Sequence, residues 1–212
     1  RSGRCGTAEE PVNDSKGCGG VMRVAPAGLV NDADAFRLGC EAGAVTHGHP
    51  TGWLSAGALA CMVRQLVEGD SIERGVKMAL GRLRHVPGHE ETTAALDAAL
   101  RLHGSAAPTP ELVESLGGGW IAEEALAIGV YCALAADGDF AAGVRLAVNH
   151  SGDSDSTGAI AGNLLGALLG ADAIPARWLE RLELRDEMTA MADDLLTSWS
   201  DGPEWWARYP GV

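Results

Sequence analysis

The fold is decided by an acidic loop that leads directly into an apolar helix, and residues 149–162 read Asn-His-Ser-Gly-Asp-Ser-Asp-Ser-Thr-Gly-Ala-Ile-Ala-Gly. In this acidic loop (Ser151 to Ser156), a single residue separates Asp153 from Asp155, and the hydroxyl of Ser156 follows at once. Short carboxylates on backbone loosened by Gly152 can point at one centre. Oxygen donors of this kind suit Mg²⁺, Mn²⁺ or Ca²⁺ rather than zinc. The pattern leaves open a simpler interpretation, in which one of these side chains only caps the following helix.

The helix after the acidic loop carries a glycine at every fourth position, at Gly158, Gly162, Gly166 and Gly170. Positions four apart lie on one helix face, and each glycine costs about 1 kcal/mol relative to alanine inside a helix. The stripe therefore predicts that another helix approaches closely along this face. Such packing would hold the acidic loop rigidly against the core.

A second glycine-rich stretch, the glycine loop (Asp14 to Pro26), reads Asp-Ser-Lys-Gly-Cys-Gly-Gly-Val-Met-Arg-Val-Ala-Pro. Three glycines in four residues let the backbone approach a ligand and aim N–H groups at it. The spacing is neither that of a P-loop nor that of a dinucleotide fingerprint. A plain connecting loop is therefore the alternative.

The rest of the chain has the patterns of helices, and no strand-like alternation persists beyond four residues. The helices are expected near residues 34–45, 53–67, 90–102, 123–136, 140–148, 157–169 and 179–199, and a further helix is expected to begin after a cap at Ser71. We predict an all-α fold, a compact orthogonal helical bundle that forms a single domain over residues 1–212.

Composition and charge exclude several classes of protein. The net charge of −13 argues against binding nucleic acid or an anionic membrane surface. The longest apolar stretch, residues 157–174, is interrupted by Asn163 and Asp172, so no membrane span is predicted. Five cysteines, an odd number without a Cys-x-x-Cys pair, are typical of free thiols in a reducing compartment. We therefore expect a cytoplasmic protein.

The acidic loop and the residues after it, Gly158 to Gly162, resemble the C-terminal metal motif of the ADP-ribosylglycohydrolase family. Members of that family release ADP-ribose from arginine, serine and dinitrogen reductase. Ser156 stands where many members have threonine, which keeps the hydroxyl. The resemblance implies a binuclear Mg²⁺ centre, with Mn²⁺ as an alternative cation, whose ligands would include Asp153, Asp155 and Ser156.

The glycine loop resembles the family's Ser-x-Gly-Asn-Gly-x-x-Met-Arg segment, which wraps the phosphates and ribose of ADP-ribose. The matching residues are Ser15, Gly17, Gly19, Gly20, Met22 and Arg23. Cys18 stands in place of the family's asparagine, so a backbone contact with the ligand is favoured there over a side-chain contact. Arg23 is expected to pair with either a phosphate or a carboxylate.

His47 resembles the histidine of a Thr-His motif that lies near the bound ADP-ribose in the family. The sequence alone favours equally an interaction with the end of a helix. The stretch from Leu116 to Glu124 is also similar to a family segment. Glu123 and Glu124 are expected to be ordinary acids in the first turn of a helix. The alternative is that one of them is buried and hydrogen-bonded near the acidic loop.

The resemblance covers the chain from about Asp14 onward and implies an enzyme, a Mg²⁺-dependent hydrolase of the glycosidic bond between ADP-ribose and an acceptor. Longer family members also carry an N-terminal Thr-Asp-Asp metal motif, which these 212 residues do not contain. We therefore expect that the chain is the C-terminal part of a longer domain, and we assign no catalytic residue. Two alternatives stay open: a noncatalytic member that binds ADP-ribose or has a structural role, and an unrelated Mg²⁺-dependent phosphohydrolase.

Overall fold

The computed structural model describes residues 5–31, 33–197 and 202–210, and it confirms the all-helical prediction for them. Apart from an isolated antiparallel bridge between Gly17 and Ile121, the regular structure in these ranges is helical. The helices are α1 (Ala35–Ala44), α2 (Pro50–Val67), α3 (Ile72–Leu83), α4 (Glu90–Leu102), α5 (Pro110–Glu114), α6 (Ala122–Ala135), α7 (Phe140–Val148), α8 (Ser154–Leu169), α9 (Ala176–Leu179), α10 (Arg185–Thr197) and α11 (Pro203–Arg208).

Helices α2 and α6 form the centre of the bundle because apolar residues surround them on every side. Helix α2 packs against α1, α3 and α8, and α6 packs against α4, α7 and α8. Small residues permit the closest of these approaches. A Cβ added at Gly39 of α1 would lie 2.7 Å from the Cβ of Ala60 in α2, so an alanine there would push the two helices apart.

The glycine stripe of α8 has a different explanation from the one predicted. Only at its start does a neighbour come close, since a Cβ at Gly158 would lie 2.6 Å from Cγ1 of Val148. At Gly162 the nearest contact would be 3.9 Å away, and at Gly166 no described atom outside the local helix backbone lies within 4 Å. Gly170 has φ +78° and ends the helix. The prediction of close packing along the whole stripe was therefore wrong.

Helix α8 is held in the core by its other face. Its buried apolar residues are Ile160, Ala161, Leu164 and Leu165. They pack against α6 and α7, and Gly129 of α6 lets Ile160 approach its backbone. The start of α8, and with it the acidic loop, is therefore anchored by apolar burial rather than by a glycine interface.

Two other helical predictions needed correction. The helix expected over residues 179–199 begins only at Arg185 as α10; Leu179 instead ends the separate short helix α9, and Leu184 before α10 has φ +55°. Trp199 lies outside the described residues. The short helix α5 was not among the predicted helices. Thr109 caps this helix and Pro110 occupies its first turn, a start signal that was present in the sequence.

Three of the cysteines, Cys40, Cys61 and Cys132, are buried in helices as free thiols, as predicted. Burial raises their pKa values to about 12, about 11 and about 12. None of the described helices combines the length and the apolar character that a membrane crossing requires.

Candidate functional site

The acidic loop lies at the start of α8, where Asp153 is the residue that precedes the first turn. The Asp153 carboxylate interacts with the backbone and the hydroxyl of Ser156 in the first turn of the helix. The side chain is buried, with 6% of the residue exposed. The helix end therefore accounts for part of its surroundings, and its other partners lie outside the helix.

Asp153 faces the glycine loop. The thiol of Cys18 donates to Oδ2 of Asp153 at a distance of 2.9 Å. The hydroxyl of Ser156, also buried, donates to Sγ of Cys18 at 3.3 Å and to Sδ of Met22 at 3.1 Å. The structure thus brings the two stretches together, although Cys18 and Asp153 are 135 residues apart in the chain.

The charge of this cluster is concentrated on neighbouring carboxyl groups. Burial favours the neutral form of Asp153, but hydrogen bonds with Asp155, Cys18 and Ser156 outweigh it and hold the pKa of Asp153 below its ordinary value. Asp155 itself is exposed to solvent. Two carboxylates close enough to interact in this way repel one another when both are ionised, and a cation relieves the repulsion.

The loop that contains Gly118 and Gly119 packs against the acidic loop and supports it. The backbone N–H of Asp153 donates to the carbonyl of Gly118 at 2.8 Å. Oε2 of Glu124 accepts hydrogen bonds from the N–H groups of Gly118 at 3.0 Å and Gly119 at 3.1 Å. Glu124 therefore fixes the loop on which Asp153 rests. The expected glutamate that is both buried and hydrogen-bonded near the acidic loop is not observed: Glu124 has the hydrogen bonds but is only half-buried.

The buried glutamate, Glu123, has a different partner. Lys16 of the glycine loop donates to Oε1 of Glu123 and to Oε2 of Glu91, each at 2.7 Å. These hydrogen bonds raise the pKa of Lys16 above its ordinary value. Because two carboxylates already neutralise the ammonium group, Lys16 serves to fasten the glycine loop to α4 and α6.

Backbone pairing fastens the same loop a second time. The N–H of Cys18 donates to the carbonyl of Trp120 at 3.2 Å, and the N–H of Ala122 donates to the carbonyl of Lys16 at 2.8 Å. These bonds flank the bridge between Gly17 and Ile121. The glycine loop is therefore held in place by backbone pairing as well as by Lys16.

The imidazole of His47 lies against this loop. A Cβ added at Gly19 would lie 3.3 Å from Cε1 of His47, and one added at Gly20 would lie 3.2 Å from Nδ1. Burial, followed by the charge of Arg23, lowers the pKa of His47 below its ordinary value. The ring is therefore neutral at physiological pH.

The imidazole of His47 is linked to Arg23 through Thr46. Arg23 donates to Oγ1 of Thr46 at 2.5 Å and to the carbonyl of Ala42 at 3.3 Å. The Thr46 hydroxyl and Nδ1 of His47 share a hydrogen bond of 2.8 Å. The described contacts of Arg23 are to a hydroxyl and a carbonyl, so the expected carboxylate pairing is not observed among them.

One residue near the site was not singled out from the sequence. Trp120 lies between the two loops in space and is 65% exposed. A Cβ added at Gly118 would lie 3.0 Å from Cδ1 of Trp120. An exposed indole is an unusual feature beside buried polar groups. The signal that could have identified Trp120 is its place directly after three glycines, in the stretch that resembles the family.

Three side chains remain the predicted ligands of a cation. Asp153, Asp155 and Ser156 provide oxygen donors of the kind that Mg²⁺ or Mn²⁺ accepts. In the part of the chain that the structure describes, no group of three or more His, Cys, Asp or Glu side chains is placed to hold a metal ion. Coordination positions would therefore remain for water, for a ligand or for other polypeptide.

The sequence is similar to known proteins of one family. A sequence model of the ADP-ribosylglycohydrolase family matches residues 1–204. The chain is 27% identical to human (Homo sapiens) ADP-ribosylhydrolase ARH3 over 214 aligned residues, which cover 85% of this chain and 58% of that protein. It is also 52% identical to the ADP-ribosyl-(dinitrogen reductase) glycohydrolase of Rhodospirillum rubrum over 40 residues, 19% of this chain and 14% of the relative.

The fold leads to the same family. A solved structure described as an ADP-ribosylglycohydrolase-related protein complex matches with a TM-score of 0.69 and 32% sequence identity, over 89% of this chain and 62% of that chain. This chain thus spans less than two thirds of the human relative and of the solved chain. The family match extends over nearly all of its residues, and the chain belongs to the ADP-ribosylglycohydrolase family.

Proposed function

We propose that this protein is a hydrolase that cleaves the glycosidic bond between ADP-ribose and an acceptor, and that its site lies between the glycine loop and the acidic loop. The observation that carries the proposal is the 2.9 Å contact between Cys18 and Asp153, which joins the two stretches that resemble the family's phosphate-binding and metal-binding motifs. The names of the human and bacterial relatives support the same reaction.

The residues that would hold a divalent cation are Asp153, Asp155 and Ser156, and we propose Mg²⁺ or Mn²⁺ as the family cation. When bound, such a cation polarises the reacting centre and orients the hydroxyl groups of the ribose. The relatives are longer than this chain, and the Thr-Asp-Asp motif of the resemblance is not in it. We propose that residues carrying that motif provide the opposite side of the shell.

The chain's own residues would bind the rest of ADP-ribose. The backbone of Gly19 and Gly20 can come close to the diphosphate because neither residue has a side chain. The exposed Arg23 adds positive charge beside the loop. The imidazole of His47, which lies against the glycine loop, would form a hydrogen bond on the ribose side. The exposed indole of Trp120 offers a flat surface for a ring of the ligand.

We expect the protein to release free ADP-ribose from a peptide or protein that is ADP-ribosylated on arginine or serine, in a reaction that needs a divalent cation. The products are separated by chromatography in the presence of Mg²⁺, of Mn²⁺ or of a chelator. Asp155→Asn is expected to reduce release strongly, because the amide removes an anionic ligand. Asp172→Asn is the matched control, since Asp172 is an exposed acid beyond the other end of α8.

The products distinguish the alternatives. AMP or inorganic phosphate in place of ADP-ribose would indicate a phosphohydrolase and contradict the proposal. Binding of ADP-ribose without release under any of these conditions would identify a noncatalytic family member. Release of ADP-ribose that continues unchanged in the chelator would contradict the proposed need for a divalent cation. The cytoplasmic location stays an expectation, and the free buried thiols favour it.

A further inference from the structure

We propose that His150 is a positioning residue of the acidic loop, which fixes the backbone beside Asp153 so that the Asp153 carboxylate is presented to the cation. This inference rests on the proposed function for the cation that the loop binds. It goes beyond that function because His150 belongs neither to the predicted cation ligands nor to the residues that would bind ADP-ribose. The residue is half-buried and lies between α7 and the acidic loop.

Both ring nitrogens of His150 have a partner, and the two partners lie on opposite sides of Asp153 in the chain. The backbone N–H of Gly152 donates to Nδ1 of His150 at 3.1 Å. Nε2 of the same ring lies 3.0 Å from Oγ1 of Thr157, a buried residue in the first turn of α8. The imidazole therefore connects the residue before Asp153 with the helix that follows it.

The position of the ring proton follows from the contact with Gly152. A backbone N–H can only donate, so Nδ1 of His150 accepts and carries no proton. The neutral ring then carries its proton on Nε2, which donates to the Thr157 hydroxyl. That hydroxyl has acceptors of its own, the carbonyl groups of Ala147 at 2.7 Å and of Asp153 at 2.9 Å. One imidazole thus acts as an acceptor on one side of Asp153 and as a donor on the other.

The hydrogen bond to Nδ1 completes the pairing of the backbone that leads to the Asp153 side chain. Three successive N–H groups have acceptors, which are Oε1 of Glu114 for Ser151, Nδ1 of His150 for Gly152 and the carbonyl of Gly118 for Asp153, at 2.9, 3.1 and 2.8 Å. Gly152 has no side chain that restricts its backbone. Loss of the His150 acceptor would therefore release the backbone immediately before Asp153, although the carboxylate itself is untouched.

The first measurement detects the inferred hydrogen bonds in the full chain without any cation. The imidazole nitrogen chemical shifts of protein labelled with ¹⁵N-histidine distinguish a protonated from an unprotonated ring nitrogen. We expect His150 to have an unprotonated Nδ1 and a protonated Nε2. The amide of Gly152 should be protected from hydrogen exchange, because its N–H is hydrogen-bonded in the folded protein.

The second measurement is the calorimetric affinity for Mn²⁺ in two variants that separate the acceptor from the bulk of the ring. His150→Leu removes both hydrogen bonds, and the Mn²⁺ affinity should fall about tenfold, the lower end of the loss that removing an outer partner of a metal ligand causes. His150→Asn provides a side-chain oxygen that can accept from the N–H two residues later, as in an Asx turn. It should restore most of the Mn²⁺ affinity and the protection of the Gly152 amide.

His89→Leu is the matched control. Like His150, His89 is half-buried, and its ring hydrogen-bonds to a threonine hydroxyl, that of Thr93 at 2.9 Å. This bond lies at the start of α4 and not in the acidic loop. Denaturant unfolding should show a loss of stability in both leucine variants, whereas only His150→Leu should lose affinity for Mn²⁺. A residue that merely stabilised the fold would not produce this difference.

Three results would overturn the inference: a protonated Nδ1 in His150 of the wild type, a Mn²⁺ affinity unchanged by His150→Leu, and an affinity in His150→Asn as low as in His150→Leu. The outcome is separate from that of the proposed function. Protection of the Gly152 amide that is lost in His150→Leu and regained in His150→Asn, in a protein that releases no ADP-ribose, would reject the function and keep the role of His150 in the loop. Release of ADP-ribose that is unaffected by His150→Leu would do the reverse.

Discussion

Asp155→Ala is expected to lower the affinity for Mn²⁺ by about a hundredfold or more, whereas Ser156→Ala should cost much less. The carboxylate of Asp155 carries a full charge and lies near Asp153, so it can share a cation with that residue. The hydroxyl of Ser156 is neutral and contributes a weaker ligand. Because Asp155 is exposed, its removal should leave the fold intact and affect only the site.

The measurement is a calorimetric titration with Mn²⁺ and with Mg²⁺, in which Asp172→Ala serves as the control for loss of an exposed charge near α8. Thermal melts of the variants establish that any change arises at the site. An affinity of Asp155→Ala for Mn²⁺ close to that of the wild type would contradict the assignment of the acidic loop as a cation site. A loss of affinity of the same size in Asp172→Ala would show that the effect arises from the net charge of the protein and not from a specific ligand.

Gly152→Ala is expected to cause the largest loss of stability among single small substitutions in the site. A Cβ at this position would overlap the carbonyl oxygen of Gly118, which is the acceptor of the Asp153 N–H. Overpacking of this kind costs about 1–3 kcal/mol. The threatened hydrogen bond adds about 1 kcal/mol. The displaced loop should also carry Asp153 away from Cys18, so cation binding should fall together with stability.

Gly166→Ala, on the helix that follows Gly152, is the control. In the described structure nothing but local helix backbone would meet its Cβ within 4 Å, and alanine is favoured over glycine in a helix interior by about 1 kcal/mol. Denaturant unfolding followed by circular dichroism should therefore give changes of opposite sign for the two variants. A Gly152→Ala protein as stable as the wild type would contradict the close packing of the two loops.

The sequence was informative where local chemistry repeats a known pattern. The acidic residues and hydroxyls of residues 151–156 marked them as predicted cation ligands, and apolar periodicity predicted the helical fold. Neither the composition of the loop nor the apolar periodicity depends on which distant residue packs against it. For this reason the start of α8 was located within a few residues, and the glycine loop was identified before its position in space was known.

The partners of these residues could not be predicted, because they depend on contacts between distant parts of the chain. No local pattern indicated that the thiol of Cys18 donates to Asp153, which lies 135 residues away in the chain. The glycine stripe of α8 led to a wrong prediction of close packing, because glycines at every fourth position look the same in the sequence whether a helix or solvent lies opposite. Leu184, directly before α10, has a positive φ that a leucine rarely adopts. The residue types therefore did not indicate that the predicted helix would begin only after it.

The central claim is that the glycine loop and the acidic loop form one site for ADP-ribose and a cation, and the coupling between the two ligands tests it most directly. Calorimetry should measure the affinity for ADP-ribose with and without Mn²⁺, in the wild type and in Asp155→Ala. We predict that Mn²⁺ tightens ADP-ribose binding by about 5- to 150-fold, the range of typical coupling between bound ligands, and that Asp155→Ala abolishes this effect. An ADP-ribose affinity that is the same with and without the cation would contradict the account.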